Sequence, residues 1–396
     1  MMEKEMVEEK RPLRVCYFGT YRANYTRNQN LVKGLRAQKD VVVYECHSTL
    51  WQSIEDRVEQ ASGGWRRPSF WLRVVRAYWR LLRRHARTPP YDVMLIGYPG
   101  QFDAYLARLL TWWRRVPMAL DILMSLHLVA EERGLTQKSP LTGKLIFYLE
   151  KGGLKLPDRL ISENSAYESY YCTQYGLPPE RFRRVPHGAD DAVYHPRPIE
   201  PPTDEFRITY HGTFLPSHGL DSVMEAAKIL QEQGETAVHF HFYGEGPEKA
   251  RSEQFAHDNN LYNVTFHGFV SREELLNGLA MSHICLGVFG ETRQSHYTIQ
   301  NKVWEGLAMG RPVISGDSAV VREALIHQEH IYLVPRQSPA MLAAAILELK
   351  NKPEQREAMA QAGHARYLAG NSPIAIGRIT KQALRSLQEK KWSTAE

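Results

Sequence analysis

The chain of 396 residues contains only four cysteines and no long apolar run. Cys16, Cys46, Cys172 and Cys285 are isolated, without a C-x-x-C pair or a His/Cys cluster at metal-ligand spacing. They predict buried thiols in a reducing compartment. No run of about 18 apolar residues could span a bilayer, and the charged N-terminus lacks the apolar core of a signal peptide. The sequence therefore predicts a cytoplasmic protein.

A dinucleotide-binding glycine motif is also missing. Gly19 follows the first predicted strand, but the next residues are TYRANY instead of the remainder of a G-x-G-x-x-G motif. The sequence thus argues against a nucleotide-dependent dehydrogenase. Its length exceeds one ordinary core, so we expect two domains of about 150 to 200 residues each.

Positive charge is concentrated in the first half of the chain. Residues 1–200 contain 31 of the 50 Lys and Arg and 22 of the 44 Asp and Glu, which gives +9. The remaining 19 basic and 22 acidic residues give −3. This asymmetry predicts that the first half contacts an anionic partner, which is a membrane surface, a lipid phosphate or a nucleic acid.

Predicted strands alternate with predicted helices in both halves, which favours two doubly wound α/β domains. The strands are expected at residues 13–18, 41–46, 93–96, 117–123, 159–162 and 184–186, and at 206–210, 237–243, 264–266, 284–288, 312–315 and 331–334. We predict a flexible acidic tail at 1–11, a first domain at 12–195, a proline-rich linker at 196–205, a second domain at 206–370, and a final helix at 371–396 that packs back on the first domain.

One carboxylate in the second half has a notable position. Residues 302–309 have the apolar spacing of a helix with one buried face, and Gly310 and Pro312 end that helix before a short apolar strand. Ligands of parallel α/β sheets lie outside the carboxyl ends of the strands. Glu305 is therefore expected to face a ligand, the alternative being a solvated helix glutamate.

Glycine turns follow several strands of the second half. Gly212 ends one strand, Gly219 precedes a helix, and Gly244 and Gly268 follow two further strands. Such turns allow backbone N–H groups and a helix N-terminus to face a phosphate. A single glycine turn is a weak signal because every doubly wound domain needs glycines there.

Taken in order, these motifs resemble the retaining glycosyltransferases of the GT-B fold, family 4. The matching segments are residues 185–196, 210–230, 242–250, 263–275 and 301–317, with a looser match at 17–35 and 94–110. The resemblance implies two Rossmann-like domains that face a central cleft, a nucleotide-sugar donor bound by the second domain and an acceptor bound by the first. It also implies that no metal or other cofactor is needed.

The family's donor-site residues carry over unevenly. Glu305 corresponds to the glutamate that binds the donor ribose, but eight residues earlier the family has a glutamate against the sugar and this chain has Tyr297. Thr213 and His218 stand where the family often has an arginine and a lysine on the diphosphate, so Arg293 or Lys302 is expected to supply positive charge. The predicted donor-binding residues are Gly19, Thr20, Gly212, Thr213, His218, Gly219, Gly244, Gly268, Phe269, Tyr297, Lys302 and Glu305.

The catalytic candidates are Asp121, Arg293 and Lys302. Asp121 ends a predicted strand where the family places a polar residue near the reacting sugar. A helix cap or an ion-pair partner is the alternative for Asp121, and a surface residue is the alternative for each of the two basic side chains. The Asp190–Asp191 pair is interpreted as capping.

Residues 65–87 carry arginines at three- and four-residue steps, with tryptophans and aliphatic residues beside them. This pattern fits a helix on an anionic membrane surface, as well as a core-packing helix with a solvated basic face. Nucleic acid is disfavoured because the aromatic residues form no separate stacking platform.

The resemblance therefore implies a retaining, metal-independent hexosyltransferase that uses a nucleotide sugar, and the basic first domain favours a lipid-linked or cell-surface glycan acceptor. We expect it in the cytoplasm or peripherally on the inner face of the plasma membrane. The alternatives are a GT-B-like epimerase and a catalytically impaired scaffold that binds nucleotide or sugar.

Overall fold

The computed structural model describes residues 11–50, 67–132 and 134–393, so the predicted tail at 1–11 lies outside the described residues except for Arg11. The chain divides into two compact units. Of the described residues, the first unit contains those up to Pro186 and those from Pro373 onward, and the second unit extends from His187 to Ser372. The boundary precedes the predicted linker 196–205 because side chains of the second unit bind the intervening backbone, for example Tyr367 at the carbonyl oxygen of Ala189.

The first unit is built from parallel strands connected by helices. In chain order its elements are β1 (Leu13–Gly19), α1 (Thr26–Arg36), β2 (Val41–His47), α2 (Pro68–Arg87), β3 (Val93–Ile96), α3 (Asp103–Arg114), β4 (Met118–Ile122), α4 (Leu126–Glu132), α5 (Leu135–Lys138), α6 (Pro140–Lys155), β5 (Arg159–Ser162), α7 (Ser165–Tyr175), β6 (Phe182–Arg184) and, from the C-terminus, α16 (Pro373–Ser393).

The six strands of this unit form one parallel sheet in the order β2-β1-β3-β4-β5-β6. Parallel neighbours need long crossover connections, which the helices supply. Helix α16 adds Leu384 to the apolar core and packs on α1, where Gly34 and Gly377 allow close approach. Lys381 and Arg385 of α16 donate hydrogen bonds to the carboxylate of Asp40, at 3.0 and 2.6 Å. The C-terminal helix is thus part of the first unit.

The second unit repeats this architecture. Its elements are β7 (Phe206–His211), α8 (Leu220–Glu232), β8 (Val238–Tyr243), α9 (Lys249–Asp258), β9 (Val264–Gly268), α10 (Arg272–Ala280), β10 (Ile284–Leu286), α11 (Arg293–Tyr297), α12 (Asn301–Ala308), β11 (Val313–Gly316), α13 (Ala319–Ala324), β12 (Tyr332–Val334), α14 (Pro339–Asn351) and α15 (Pro353–Gly370).

The sheet of the second unit has the order β12-β11-β10-β7-β8-β9, and its strands are parallel. Ile208, Phe240, Leu286 and Ile314 lie in its buried core. The chain order reverses between β7 and β10, and ligands of such sheets bind beside the carboxyl ends of the strands at this reversal.

The prediction of two doubly wound parallel α/β domains is confirmed. Strand β6 begins two residues earlier than expected, at Phe182. In the described part of the chain, no helix combines the length and the apolar character needed to cross a bilayer.

Candidate functional site

Two glycine turns lie together at the carboxyl ends of β7 and β8. Gly212 directly follows β7 with a φ of +119°, a backbone conformation that favours glycine. A Cβ atom at Gly244 would lie 2.1 Å from the carbonyl oxygen of Gly212. Any side chain at position 244 would therefore separate the two turns, and glycine keeps backbone groups close together at the predicted phosphate site.

Glu305 lies beside these turns on α12 and is only 8% exposed. Its Oε2 atom is 2.7 Å from Nε2 of His211, the last residue of β7. A carboxylate only accepts hydrogen bonds, so His211 Nε2 carries the proton and donates it. Burial, followed by the charge of the Glu305 carboxylate, raises the pKa of Tyr194. A carboxylate has about four acceptor positions, and the bond from His211 leaves about three for a ligand.

Lys302 lies one turn before Glu305 and is 5% exposed. Its Nζ atom is 3.3 Å from Nδ1 of His218 and 3.8 Å from the ring centre of Tyr210. Burial lowers the pKa of Lys302 well below its usual value, although Glu305 opposes the effect. Burial, then Lys302, lowers the pKa of His218 to about 2, which keeps that imidazole neutral. A buried basic group with a neutral partner is suited to receive an anionic ligand.

A Cβ atom at Gly212 would lie 3.4 Å from Nζ of Lys302, so the lysine reaches the glycine turn. The structure therefore brings Gly212, His218, Lys302 and Glu305 together, with His211 added.

Other predicted donor-site residues of this unit lie on its surface or in neighbouring turns. Thr213 and Phe269 are exposed, and Phe269 has 89% of its surface accessible. Gly268 ends β9 and Gly219 precedes α8, both with positive φ. The structure places these residues in turns that follow β7 and β9, and their contacts with a donor stay predictions.

Arg293 and Tyr297 are the first and last residues of α11. Arg293 is exposed and Tyr297 is half-buried. The loop before α11 is held by Arg336, which donates to the carbonyl oxygens of Gly290 at 2.7 Å and Ser295 at 2.9 Å. The segment is thus fixed by its backbone, and the roles predicted for Arg293 and Tyr297 stay predictions.

A cavity of about 580 Å³ lies next to Gly219 and Gly290. Its lining includes the carboxylate residues Asp221, Glu225 and Glu291. Since carboxylates repel a diphosphate, this lining does not suit one, and the phosphate site predicted from the sequence at Gly212 stays a prediction.

In the first unit, Gly19 and Thr20 form the turn after β1, as the sequence predicts. Asp103 at the start of α3 accepts a hydrogen bond from the Thr20 backbone N–H at 2.6 Å and another from the Tyr78 hydroxyl at 2.8 Å. Burial raises the pKa of Asp103 to about 6, although these donors oppose the effect. Asp103 therefore fixes the turn, a role that its position in the sequence does not reveal.

Asp121 is fully buried in an ion pair with Arg27, at 2.7 Å. Arg27 also donates to the carbonyl oxygens of Val185 and Pro186, the last residues of this unit before the chain leaves it. Of the two interpretations left open for Asp121, this geometry is that of the ion-pair partner, and a catalytic role stays a prediction.

Glu163, which follows β5, is a buried carboxyl group that the sequence analysis missed. Burial raises its pKa to about 8, with Arg27 opposing the shift and Asp121 adding to it. Neither of its carboxyl oxygens has a hydrogen-bond partner among the described residues.

Both halves of the chain match family models. Residues 205–352 match the family described as glycosyl transferases group 1, and residues 25–188 match the glycosyl transferase 4-like domain.

Two curated proteins are similar over part of the chain. The lipopolysaccharide core biosynthesis glycosyltransferase LpsD of Rhizobium meliloti is 24% identical over 187 residues, which are 47% of this chain and 49% of that protein. The amylovoran biosynthesis glycosyltransferase AmsK of Erwinia amylovora is 26% identical over 193 residues, 48% of this chain and 44% of that protein. The chain thus spans about half the length of the curated relatives it matches.

Solved structures share the fold over nearly the whole chain. The Anabaena protein HepE in complex with UDP has a TM-score of 0.64 and 14% identity, with 95% of this chain and all of that chain covered. A sucrose-phosphate synthase from Thermosynechococcus elongatus has a TM-score of 0.65 and 17% identity, with 95% and 99% covered. At such identities the likeness establishes the fold alone.

Proposed function

We propose that this chain, which carries both domains of the group 1 glycosyltransferases, moves a hexose from a nucleotide sugar to a lipid-linked or cell-surface glycan. The observation that carries the proposal is that Glu305 and Lys302 lie one turn apart on α12, beside the glycine turn after β7 and within the domain that matches the group 1 family. Glu305 offers carboxylate oxygens that accept hydrogen bonds from hydroxyl groups, and Lys302 offers a cation. Both lie at the edge of the sheet formed by the carboxyl ends of its strands.

In the proposed complex, Glu305 accepts hydrogen bonds from the two ribose hydroxyls of the donor nucleotide. The hydrogen bond from His211 leaves about three acceptor positions on the carboxylate, enough for both hydroxyls. Hydrogen bonds to a charged acceptor contribute about 1.5 to 3 kcal/mol each, so the two would contribute about 3 to 6 kcal/mol.

Lys302 is proposed to bind the diphosphate. As the bond between the anomeric carbon and the phosphate oxygen breaks, the electron pair and the negative charge move to the departing nucleoside diphosphate, which a cation stabilises. The acceptor oxygen then forms a bond to the anomeric carbon from the same face, and its proton passes to the departing phosphate. This route gives retention without an enzymatic nucleophile or a metal ion.

A membrane-bound acceptor is supported by the surface of the first unit. Trp71, Val75 and Trp79 lie one turn apart on α2 and are each more than half exposed, alongside the exposed arginines of that helix. On α3, Trp112 and Trp113 are each 78% exposed. Arg114 of α3 donates to the backbone of α2 at His85, so the two helices are neighbours. Aromatic and basic side chains together suit an anionic membrane surface, and we place the protein on the inner face of the plasma membrane.

The names of LpsD and AmsK, which refer to lipopolysaccharide core and amylovoran biosynthesis, support a glycan acceptor. A catalytically impaired scaffold is the second candidate, because Tyr297 replaces the sugar-facing glutamate.

Thermal unfolding with UDP, GDP, ADP and CMP tests the donor site. We expect UDP to stabilise the protein, since the fold is shared with a UDP complex. A ligand at 100 times its dissociation constant stabilises by about 2.7 kcal/mol, and Glu305→Ala should lose this response. If none of the four nucleotides stabilises the wild type, the donor-site proposal fails. Nucleotide release from UDP-sugars then separates the candidates, since binding without release favours the scaffold.

A further inference from the structure

We propose that His211 is a positioning residue that orients the Glu305 carboxylate for the ribose hydroxyls of the donor. This inference rests on the proposed function of the donor site. None of the family resemblances in the sequence points to His211, which ends β7 one residue before the glycine turn.

The hydrogen-bond chemistry of His211 defines its role. His211 is 3% exposed, and its Nε2 atom lies 2.7 Å from Oε2 of Glu305. The other ring nitrogen, Nδ1, is buried and has no hydrogen-bond partner among the described residues. A proton on Nδ1 would be a buried donor without an acceptor, whereas an unprotonated Nδ1 leaves the ring neutral. The geometry therefore favours the neutral tautomer with its proton on Nε2.

The two residues come from elements with different freedom to move. His211 is the last residue of β7, a central strand that pairs with both β8 and β10. Glu305 is on α12, where its side chain has three rotatable bonds. A hydrogen bond from the strand selects one rotamer of the glutamate before the ligand arrives, so less conformational entropy is lost on binding. The bond also occupies one acceptor position of Oε2, so the remaining acceptor positions of the carboxylate point away from His211 and are open to a ligand.

Two substitutions separate the positioning role from a packing role. The amide nitrogen of glutamine in His211→Gln replaces Nε2 and can still donate to Glu305. The shorter side chain in His211→Asn reaches only the position of Nδ1 and loses the donor. Both variants remove the ring and leave a polar amide in the core, so they share any effect on folding.

Isothermal titration with UDP gives the first measurement. We expect His211→Asn to raise the dissociation constant of UDP about 10- to 100-fold, the range expected when a buried charged acceptor loses a donor. We expect His211→Gln to restore most of the affinity. We also expect the preference of the wild type for UDP over its 2′,3′-dideoxy analogue to decrease in His211→Asn. Equal affinities of the two variants, or an unchanged preference, would overturn the proposal.

The second measurement needs no ligand. Nitrogen-15 NMR of histidine side chains in the free protein should show His211 protonated on Nε2, with that proton protected from exchange in the wild type and unprotected in Glu305→Ala. Protonation on Nδ1 alone would overturn the positioning role. A wild type that binds no UDP but shows the Nε2 tautomer would count against the proposed function and leave the His211–Glu305 orientation supported.

Discussion

Replacing Lys302 with methionine is expected to weaken nucleotide binding and to stabilise the second unit at the same time. The ammonium group is buried against neutral His218 and the ring of Tyr210. Replacing a whole buried ion pair with apolar side chains is neutral or stabilises by about 1 to 4 kcal/mol, so for the single buried charge of Lys302 we expect a gain near the low end of that range, from which the lost hydrogen bond to His218 subtracts about 1 kcal/mol. A net gain of 1 kcal/mol corresponds to about 2–4 °C in a domain of this size.

The effect on binding has the opposite sign. A charge-assisted hydrogen bond to the diphosphate contributes about 1.5 to 3 kcal/mol, so Lys302→Met should raise the dissociation constant of UDP roughly 10- to 150-fold. Few packing defects would combine higher thermal stability with weaker ligand binding. A higher melting temperature together with a higher dissociation constant of UDP is therefore more informative than either measurement alone.

The stability gain should depend on pH. The unfolded chain keeps Lys302 protonated up to about pH 10.4, whereas burial lowers the pKa of this lysine in the folded protein. Between these two values the unfolded state binds more protons, so the contribution of Lys302 to wild-type stability becomes more favourable as pH rises. The advantage of Lys302→Met should be largest below the folded pKa and should shrink as pH approaches about 10.4.

Differential scanning fluorimetry with and without UDP, at several pH values, measures both effects. Lys350→Met is the matched control, because Lys350 lies on α14 and pairs with Glu235 at 2.5 Å. We expect this control to keep its response to UDP and to gain no stability. A Lys302→Met protein that melts below the wild type and keeps the full UDP response would refute the reasoning and would make Lys302 a structural residue.

The remaining predictions concern the first unit. Asp121→Asn leaves Arg27 as a buried charge with a weakened partner, so the free energy of unfolding in urea should fall by up to about 3 to 5 kcal/mol. A variant with wild-type stability and no transferase activity would instead support the catalytic role predicted from the sequence. Changing Trp71 and Trp79 to alanine together should reduce flotation with anionic liposomes while the melting temperature stays the same, since both side chains are more than half exposed. Unchanged flotation would contradict membrane contact through α2.

Much of the fold could be predicted because strands that are buried on both faces of a parallel sheet appear in the sequence as continuous apolar runs. Strands β3 and β10 are buried throughout and appear in the sequence as short apolar runs between helical segments. The end of the first unit is harder to predict. The proline-rich composition of residues 196–205 suggests a linker, but Arg311 of the second unit donates to the carbonyl oxygen of Ile199 within that segment. The composition of a segment indicates how stiff the chain is. It does not indicate which distant residues contact the segment, because such tertiary contacts leave no pattern in the neighbouring sequence.

The sequence points to candidate-site residues that lie next to glycine turns, and it does not reveal residues whose contacts are long-range. Glu305 and Gly212 are predicted to contact a ligand because each lies next to a turn in the sequence. His211 was missed because its partner is 94 residues away, and a histidine at a strand end is common in many folds. Asp103 and Arg27 were missed for the same reason, since each acts on a distant backbone segment.

His218 and Lys302 lie at the proposed diphosphate site, where this chain departs from the pattern that the resemblance implies. His218 stands where the family often has a lysine, and its ring nitrogen lies 3.3 Å from Nζ of Lys302. Two ammonium groups at that separation would repel each other by about 5 kcal/mol at an effective dielectric constant of about 20. A cation at position 218 is thus incompatible with a cation at position 302 while no phosphate is bound. Burial, and then Lys302, lowers the pKa of His218 and keeps this imidazole neutral, so Lys302 on helix α12 is the basic group of this pair.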